Sequence, residues 1–377
     1  MTMMPTHDDI GGRNDKNTCN DYHKKIDSAR FYGQYHGHPV RGGLDDLLPV
    51  LRESCDSLIW TAGDSSLDNK YWFDDKKPAV GAYRTSLEPP ISNADVTYWL
   101  NYLADERATT TTTTTINGNI GREGRCSRLA AINTAVEATT VNERTRRLRE
   151  QDVFVRDNIQ PEDILVVSVG GNDVAMSPSL CTIFSMLFLV NLPYSCLENA
   201  CVCGTMPCDE HCWGCGPVAM LSCSCAFPPC LGYMNHLFGT RVQKYIEKLV
   251  TKTKPKKILV CMIYYLDENP TPSWAGNALK CLGYDSNPKK LQCLMQRLFV
   301  EATSKINING TEVIPVPLFN VLDGKIAEDY IARVEPSSQG GRKMAEFILD
   351  IIEKSSHHVT NGSSLLPVES TYMADRS

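Results

Sequence analysis

Residues 57–68, SLIWTAGDSSLD, decide the fold together with residues 163–173, DILVVSVGGND. Each stretch is a short apolar run of strand type that leads directly into glycine and a polar turn. In the first stretch a glycine precedes Asp64 and Ser65, and in the second two glycines precede Asn172. A buried strand that ends in a tight polar turn is typical of the carboxyl edge of a parallel sheet, where open α/β folds bind their ligands.

Outside these two stretches, apolar runs of strand type alternate with helix-type patterns, which indicates a parallel sheet covered by helices. The predicted class is α/β, with five strands and their connecting helices forming one three-layer domain. The predicted strands are Ser57 to Ala62, Leu129 to Val136, Asp163 to Val169, Lys257 to Tyr264 and Glu312 to Val316. The predicted helices are Ala94 to Arg107, Val141 to Asp157, Met234 to Thr253, Pro288 to Ile306 and Ser338 to Lys354.

The length of 377 residues allows one large domain with insertions, at about 150 residues per ordinary domain. We expect an irregular leader over residues 1–50, the α/β domain over residues 51–355 and a flexible tail over residues 356–377. Residues 68–128 form one insertion, and its seven-threonine tract is typical of a loosely extended linker. Residues 177–235 form a second, cysteine-rich insertion that is predicted to act as a lid.

Charge and hydropathy exclude several classes of partner. The chain has 38 basic and 44 acidic residues, a net charge of −6, and no long basic block, which excludes nucleic acid as its main partner. The longest apolar run, residues 180–192, is shorter than the roughly 18 residues that a membrane-spanning helix needs. Residues 1–35 show no signal-peptide pattern. We therefore predict a cytoplasmic protein with no transmembrane segment.

Ten of the sixteen cysteines lie between Cys181 and Cys230. Without a signal peptide, reduced thiols or a metal site are expected there rather than disulfides. Two interpretations stay open. The first is a structural zinc site, because thiolates and an imidazole suit that ion; the second is a compact lid of buried cysteines with an apolar wall. The zinc ligands would be Cys208, His211, Cys212 and Cys215, and the wall would be Phe184, Leu187, Phe188, Leu189 and Trp213. No other cofactor is predicted.

Ser65 is a candidate nucleophile, because it directly follows a buried strand at the mouth of the sheet. By itself the Gly-Asp-Ser triplet favours an ordinary strand-terminating turn in which Asp64 caps the next segment. A second polar site, Gly170-Gly171-Asn172-Asp173, follows the third predicted strand. Together the two sites resemble the first and third blocks of the SGNH hydrolases, a superfamily of serine esterases and lipases that is also called the GDSL family.

The resemblance implies a flavodoxin-like, doubly wound parallel sheet with strand order 2-1-3-4-5. It also implies that Ser65 is the nucleophile and that the Ser65 N–H and the Asn172 side chain bind the oxyanion. In the family, an asparagine of the second block is followed five positions later by a glycine that donates a third N–H. Here Asn133 is followed by Ala138, whose N–H fits this role if the position does not require a positive φ.

The fifth block differs from the family pattern. An Asp-x-x-His-Pro segment supplies the base in the family, whereas Ala332 and Glu335 stand at its aspartate and histidine positions, before Pro336. Three interpretations follow: Glu335 is the base, with its pKa raised by burial; a histidine from elsewhere takes that role; or esters are not turned over. The alternative histidines are His211, His236, His357 and His358, of which His236 is the preferred one.

The resemblance favours a serine-dependent acyl-ester hydrolase that acts through an acyl-enzyme on a small-molecule or lipid ester. The apolar composition of the predicted lid favours a lipophilic substrate. One alternative is an acyltransferase that passes the acyl group to an alcohol or a sugar. The other is a catalytically impaired binding protein that kept the pocket, for which Ala332 and Glu335 are the support.

Overall fold

The structure is a computed structural model that describes residues 24–72, 74–116, 128–199, 201–202, 226–227 and 230–361. At its centre lies a sheet of five strands, β1 (Ser57–Gly63), β2 (Leu129–Asn133), β3 (Ile164–Ser168), β4 (Lys257–Met262) and β5 (Glu312–Pro317). All neighbouring strands pair in parallel, and their order across the sheet is β2-β1-β3-β4-β5. The predicted α/β class is therefore confirmed, and the strand order is the one that the resemblance implied.

Helices cover both faces of this sheet, which explains why its strands are nearly continuous apolar runs. They are α1 (Asp45–Ser54), α2 (Val96–Ile116), α3 (Val141–Arg146), α4 (Glu150–Asn158), α5 (Gly171–Ala175), α6 (Leu180–Asn191), α7 (Val242–Leu249), α8 (Gly276–Cys281), α9 (Pro288–Glu301) and α10 (Ser338–Asn361). Helices α2 and α10 pack together on one face, over a core that includes Ile59, Val166 and Leu259. Helices α1, α4, α7 and α9 contribute to the core on the other face.

Shorter elements connect these helices and strands. The remaining helical segments are Ser28–Tyr32, Gly81–Ser86, Tyr194–Glu198, Leu231–Asn235, the π-helical Val40–Leu44 and His236–Arg241, and the 3-10 turns Thr303–Lys305, Leu318–Asn320 and Ala327–Asp329. The two-stranded pairs are Ile26–Asp27 with Leu87–Glu88, Lys76–Pro78 with Ile91–Asn93, Cys201–Val202 with Ala226–Phe227, and Tyr330–Ile331 with Glu335–Pro336. The pair that contains Glu335–Pro336 is the one that positions the candidate base, Glu335.

Asp163 joins three of these elements just before β3. Its carboxylate accepts hydrogen bonds from both Arg52 terminal nitrogens at 2.6 Å, from the Leu58 N–H at 3.0 Å and from the Trp60 indole at 2.8 Å. The carboxylate is fully buried, but it is paired and hydrogen-bonded, which is the condition under which a buried charge is tolerated. Helix α1 is thereby fixed to the start of the sheet.

Three expectations about organisation need correction. Residues 24–50 of the expected irregular leader carry Ser28–Tyr32, Val40–Leu44 and the start of α1, and Phe31 is buried in the core. The threonine tract is helical, because α2 continues to Ile116. Helix α10 extends to Asn361, into the expected tail. In each case the local composition suggested an irregular segment, but packing against the domain or extension of a neighbouring helix gives the segment regular structure. Within the described residues, no helix combines the length and the apolar character needed to cross a membrane.

Gly63 lets β1 and β3 approach closely where the serine turn begins. Its φ is +131°, and a Cβ at this position would lie 1.8 Å from the Ser168 carbonyl oxygen. That oxygen accepts the Asp64 N–H at 3.0 Å. The close approach places Ser65 directly above the ends of two neighbouring strands.

We predict that Gly63→Ala lowers the free energy of unfolding by about 3 kcal/mol or more, because the methyl group has to displace backbone. Gly81→Ala is the matched control: Gly81 has a φ of +53°, yet a Cβ there contacts nothing within 4 Å. Backbone strain alone predicts a loss of about 1 kcal/mol for that variant. Urea unfolding of both variants measures the difference, and equal losses would contradict the steric explanation.

Candidate active site

Ser65 and Glu335 meet at the carboxyl edge of the sheet. Ser65 lies in the turn after β1, and Glu335 in the two-residue strand Glu335–Pro336 that precedes α10. The Ser65 hydroxyl donates a hydrogen bond of 3.2 Å to Glu335 Oε1, and both residues are buried, with 5% and 3% of their surface exposed. A hydroxyl that donates to a buried carboxyl group has the geometry that a nucleophile and its base require.

The backbone on either side of Glu335 is fixed by two side-chain hydrogen bonds. Asn69 Nδ2 donates to the Pro336 carbonyl at 2.8 Å, and the Tyr264 hydroxyl donates to the Val334 carbonyl at 2.8 Å. Ala332 and Arg333 both have positive φ, +47° and +69°, which is a strained conformation for residues with a Cβ.

The strained pair is itself fixed by neighbouring side chains. The Ala332 carbonyl accepts a hydrogen bond from the Ser273 hydroxyl, and the Arg333 guanidinium pairs with Asp285 at 2.8 Å. Since Ala332 has no carboxylate, these backbone contacts orient Glu335 where the family pattern uses an aspartate.

The pKa of Glu335 is raised to about 8, chiefly by burial; the hydrogen bond from Ser65 acts to lower it, and the carboxylates of Asp64 and Asp68 act to raise it. Glu335 Oε2 is buried and has no hydrogen-bond partner within the described part of the chain. A carboxyl group with its ordinary pKa is a poor base for a hydroxyl, whereas one that titrates near neutrality is far better matched. The burial that the first interpretation of Glu335 required is therefore present.

A buried cluster of charges, not anticipated from the sequence, lies behind this pair. The Lys70 ammonium contacts both oxygens of Asp68 at 2.8 and 2.7 Å and Glu137 Oε2 at 3.6 Å. Burial and the Asp68 charge raise the pKa of Glu137 to about 9. Asn133 donates to Asp68 at 3.2 Å, so the second-block asparagine supports the cluster. One ammonium is thus shared by two carboxyl groups.

Of the predicted oxyanion donors, Ser65 and Asn172 line the same cavity, whereas Ala138 is not among its lining residues. Asn172 lies in α5, and its Nδ2 donates to the Thr139 carbonyl at 3.1 Å, which uses one of the two amide N–H groups and orients the other. The N–H groups of Ser65 and Ala138 make no hydrogen bond within the described residues. Ala138 has a φ of +53°, so the position does require a left-handed backbone, which alanine adopts at a cost of about 1 kcal/mol.

Asp173, next to Asn172, has a structural role. Its carboxylate accepts the N–H groups of Val141 at 2.7 Å and Asn142 at 3.1 Å, at the start of α3. Burial raises the pKa of Asp173 to about 6. The contact ties the turn after β3 to the segment after β2, and with it the two sources of oxyanion donors.

His236, the preferred alternative base, lies elsewhere. Its Nδ1 accepts a hydrogen bond of 3.1 Å from Arg241, burial lowers its pKa to about 4, and it does not line the cavity that contains Ser65. His236 therefore does not face the site, because its helix turns it into the interior. His211 lies outside the described residues, as do the side chains of His357 and His358.

Ser65 and Glu335 open into a cavity with an empty volume of about 890 Å³, counted to its open mouth. The polar lining residues are Asp64, Ser65, Ser66, Asn172 and Glu335. Three aromatic residues, Phe238, Tyr264 and Trp274, also line the cavity. Most of the remaining wall is methionine and leucine: Met186, Met234, Met262, Met295, Leu266, Leu279, Leu282, Leu291, Leu294 and Leu298. A large apolar pocket with a few polar groups is typical of a binding site for an apolar small molecule.

The wall comes from an unexpected part of the chain. Helices α8 and α9, between β4 and β5, provide most of its leucines, whereas α6 in the predicted lid provides only Met186. Phe184, Leu187, Phe188 and Leu189 do not line the cavity, so the predicted apolar wall was wrong for these four, and Trp213 lies outside the described residues. The apolar face of α9 is visible in the sequence at Leu291, Leu294, Met295 and Leu298, but the same spacing is typical of a core helix.

Metal ligands can be assessed only for part of the chain. Cys208, His211, Cys212 and Cys215 lie outside the described residues, so the zinc site stays a prediction. Among the described residues, ligand atoms of His38, Asp68 and Asp95 lie within 4.8 Å of one another. Asp68 is already neutralised there by the Lys70 ammonium, so the charge that would attract a cation is compensated.

No protein-family model and no curated protein matches this chain. Solved structures similar to it include a carbohydrate acetylesterase from Sinorhizobium meliloti, with 14% identity and a TM-score of 0.36 over 79% of this chain and 99% of that one. The extracellular lipase of Streptomyces rimosus has 9% identity and a TM-score of 0.35 over 78% and 99%. An α/β hydrolase from the Lake Arreo metagenome has 12% identity and a TM-score of 0.34 over 79% and 95%.

The raised pKa of Glu335 predicts a measurable effect on stability. The carboxyl binds its proton more tightly in the folded protein than in the unfolded chain, so its contribution is fully present below pH 4.5 and is lost as the pH rises through about 8. We therefore expect Glu335→Gln to be more stable than the wild type at pH 9, by at most roughly 5 kcal/mol. The advantage should vanish near pH 4.

Urea unfolding at pH 4, 7 and 9 provides the measurement. Glu328→Gln is the control, since this carboxylate lies in the same segment and is exposed; it should show no such pH dependence. A Glu335→Gln variant that is less stable than the wild type at pH 9 would show that Glu335 carries a compensated charge in the folded protein.

Proposed function

We propose that this protein is a serine-dependent ester hydrolase whose base is a glutamate, and that its substrates carry a long apolar acyl chain. The observation that carries the proposal is the hydrogen bond of 3.2 Å from Ser65 Oγ to Glu335 Oε1 at the wall of the apolar cavity. The pair supplies the nucleophile and the base, and the cavity supplies the acyl pocket.

In the proposed reaction, Ser65 Oγ attacks the ester carbonyl while its proton passes to the Glu335 carboxylate. The negative charge on the carbonyl oxygen is stabilised by the Asn172 amide and by the N–H groups of Ser65 and Ala138. Glu335 then gives its proton to the leaving alcohol, which leaves an acyl group on Ser65. Water, deprotonated by Glu335 in turn, releases the acid and restores the serine.

The cavity favours hydrolysis of long-chain esters over acetyl esters. An acyl chain that enters it exchanges water for methionine and leucine side chains, which contributes about 0.8 kcal/mol for each buried CH₂ group. Methionine side chains adapt to chains of varied shape. The substrate class is thus a lipophilic ester, as the sequence also suggested, although different residues form the pocket.

Substitution of the two reacting residues tests the proposed chemistry. Ser65→Ala should reduce hydrolysis of a p-nitrophenyl ester to background, and Glu335→Gln should reduce it by about 10² to 10⁴-fold, the usual contribution of a general base. The wild-type rate should rise about tenfold per pH unit below pH 8 and level off above it, because the carboxyl has to be ionised and its pKa is about 8.

Three controls accompany this measurement. Glu328→Gln should keep the wild-type profile. Labelling by a fluorophosphonate that Ser65→Ala abolishes would identify the nucleophile, whereas neither labelling nor turnover would favour the binding-protein alternative. Added alcohols that divert the product from acid to ester would favour the acyltransferase alternative.

Another prediction concerns the acyl pocket. Leu294→Trp should fill part of the cavity. It should lower kcat/KM for C12 and longer p-nitrophenyl esters by about tenfold or more, while kcat/KM for acetyl esters should change little. A tenfold loss corresponds to about 1.4 kcal/mol, which is less than the contribution of two buried CH₂ groups. Leu294→Met keeps the volume and serves as the control. Equal losses for short and long esters would show that the acyl chain does not occupy this cavity.

A further inference from the structure

Helix α6 exposes an apolar face. Leu180, Ile183, Phe184 and Leu187 recur at i, i+3, i+4 and i+7 and are exposed by 85%, 42%, 53% and 37% of their surface. Met176, just before the helix, is exposed by 38%. These five residues are called the outer face of α6 below. A folded protein in water usually buries such a stripe toward its core, so the orientation of this helix is unusual.

The segment around this face carries no charge. Residues 174–197 contain no Asp, Glu, Lys or Arg, although charged residues make up 22% of the whole chain. A solvated surface helix normally presents charged side chains. An exposed apolar surface without charges is instead typical of a site that contacts another apolar surface.

Helix α6 and the segment before it also contribute to the wall of the cavity. Met186, on the inner side of α6, lines the cavity, as do Val174 and Ala175 immediately before Met176. None of these residues is charged, and α6 itself contains no charged residue. The outer face of α6 and part of the cavity wall therefore belong to one uncharged segment of the chain.

We infer that the outer face of α6 docks on a lipid surface, from which ester molecules enter the cavity. The inference rests on the proposed function, since the lipid would be both the docking surface and the source of substrate. A molecule whose acyl chain fills an apolar pocket of this size resides in a membrane or droplet rather than in water. A 12-residue helix is too short to cross a bilayer, which needs about 20 residues, but it can lie in the interface.

The absence of basic residues from the outer face of α6 determines which lipids it should bind and how the binding should respond to salt. Peripheral helices that bind anionic lipids pair lysines and arginines with the headgroups and are released by salt. The outer face of α6 has no such residues, so binding should depend on buried apolar area. We therefore expect binding to vesicles of zwitterionic phosphatidylcholine, which carry no net charge, and we expect this binding to be insensitive to salt.

Flotation with phosphatidylcholine vesicles tests the inference, with the full chain as Ser65→Ala so that lipid is not consumed. Leu180→Ser combined with Phe184→Ser should lower the partition coefficient by about tenfold or more. The matched control is Tyr102→Ser combined with Ile326→Ser, which removes two exposed apolar side chains that do not line the cavity and should leave binding unchanged. In the wild-type background, the Leu180/Phe184 variant should also hydrolyse water-soluble short esters at the wild-type rate, since neither residue lines the site.

Three results would overturn the inference: wild-type protein that stays unbound, equal losses for both double variants, or binding that salt abolishes. A concentration-dependent dimer that is lost only in the Leu180/Phe184 variant would also overturn it, because a second copy would then cover the face. Salt-insensitive flotation without hydrolysis of any ester would support the docking surface and contradict the proposed function, so the two failures are distinguishable.

Discussion

The burial of the Glu335 carboxyl against the Ser65 hydroxyl is the constraint on which the site depends. A carboxyl group resists transfer from water into a protein interior, and it does so less when it carries a proton or a hydrogen bond. Here one oxygen has the serine hydroxyl at 3.2 Å and the other has no partner within the described residues. The fold must therefore hold this group where it would not settle by itself, and the hydrogen bonds to its two neighbouring carbonyls, from Asn69 and Tyr264, provide that restraint.

In the proposed mechanism, a buried glutamate takes the role for which many enzymes use a histidine, that of a base that titrates near neutral pH. Histidine titrates near pH 6.5 without help, whereas a glutamate reaches this range only by losing water. The cavity that accepts an apolar chain is also the cavity that dehydrates Glu335, since the carboxyl belongs to its lining. A bound acyl chain would exclude still more water and raise the pKa of Glu335 further. Under the proposed function, substrate binding and basicity would thus be coupled through the same apolar wall.

Much of the framework was predictable from the sequence, for physical reasons that can be stated. Strands buried on both faces are apolar throughout, so all five strands of the sheet could be predicted, with their ends displaced by three residues at most. The largest displacement is in β2, which ends at Asn133 rather than at Val136. Gly63 and Gly170 mark turns that only glycine accommodates easily, and these turns carry Ser65 and Asn172. Glu335 was identified as a candidate because the proline and the helix after it keep their spacing.

Other parts of the site were not predictable, because they depend on contacts between distant segments. Nothing in the local sequence shows that Lys70 is buried between Asp68 and Glu137, 67 positions further along the chain. The apolar stripe of α9 would look the same if it faced a solid core instead of a cavity. The cysteine content likewise suggested that the segment after β3 forms the wall of the pocket, whereas helices α8 and α9 after β4 form most of it.

The placement of these helices connects the cavity with the surface of the molecule. Because α8 and α9 enclose the acyl pocket, α6 does not have to, and its apolar residues divide between two sides. Met186 lines the cavity, while Leu180 and Phe184 remain exposed. The outer face of α6 lowers the solubility of the protein unless another apolar surface covers it. An apolar ligand, in turn, has to leave a membrane or droplet before it can enter the cavity. Under the proposed docking, the helix that contacts the lipid is also the helix that contributes Met186 to the cavity wall, which shortens the distance over which the acyl chain is exposed to water. On this view the exposed face of α6 and the lining of the pocket are two parts of one apolar route to Ser65.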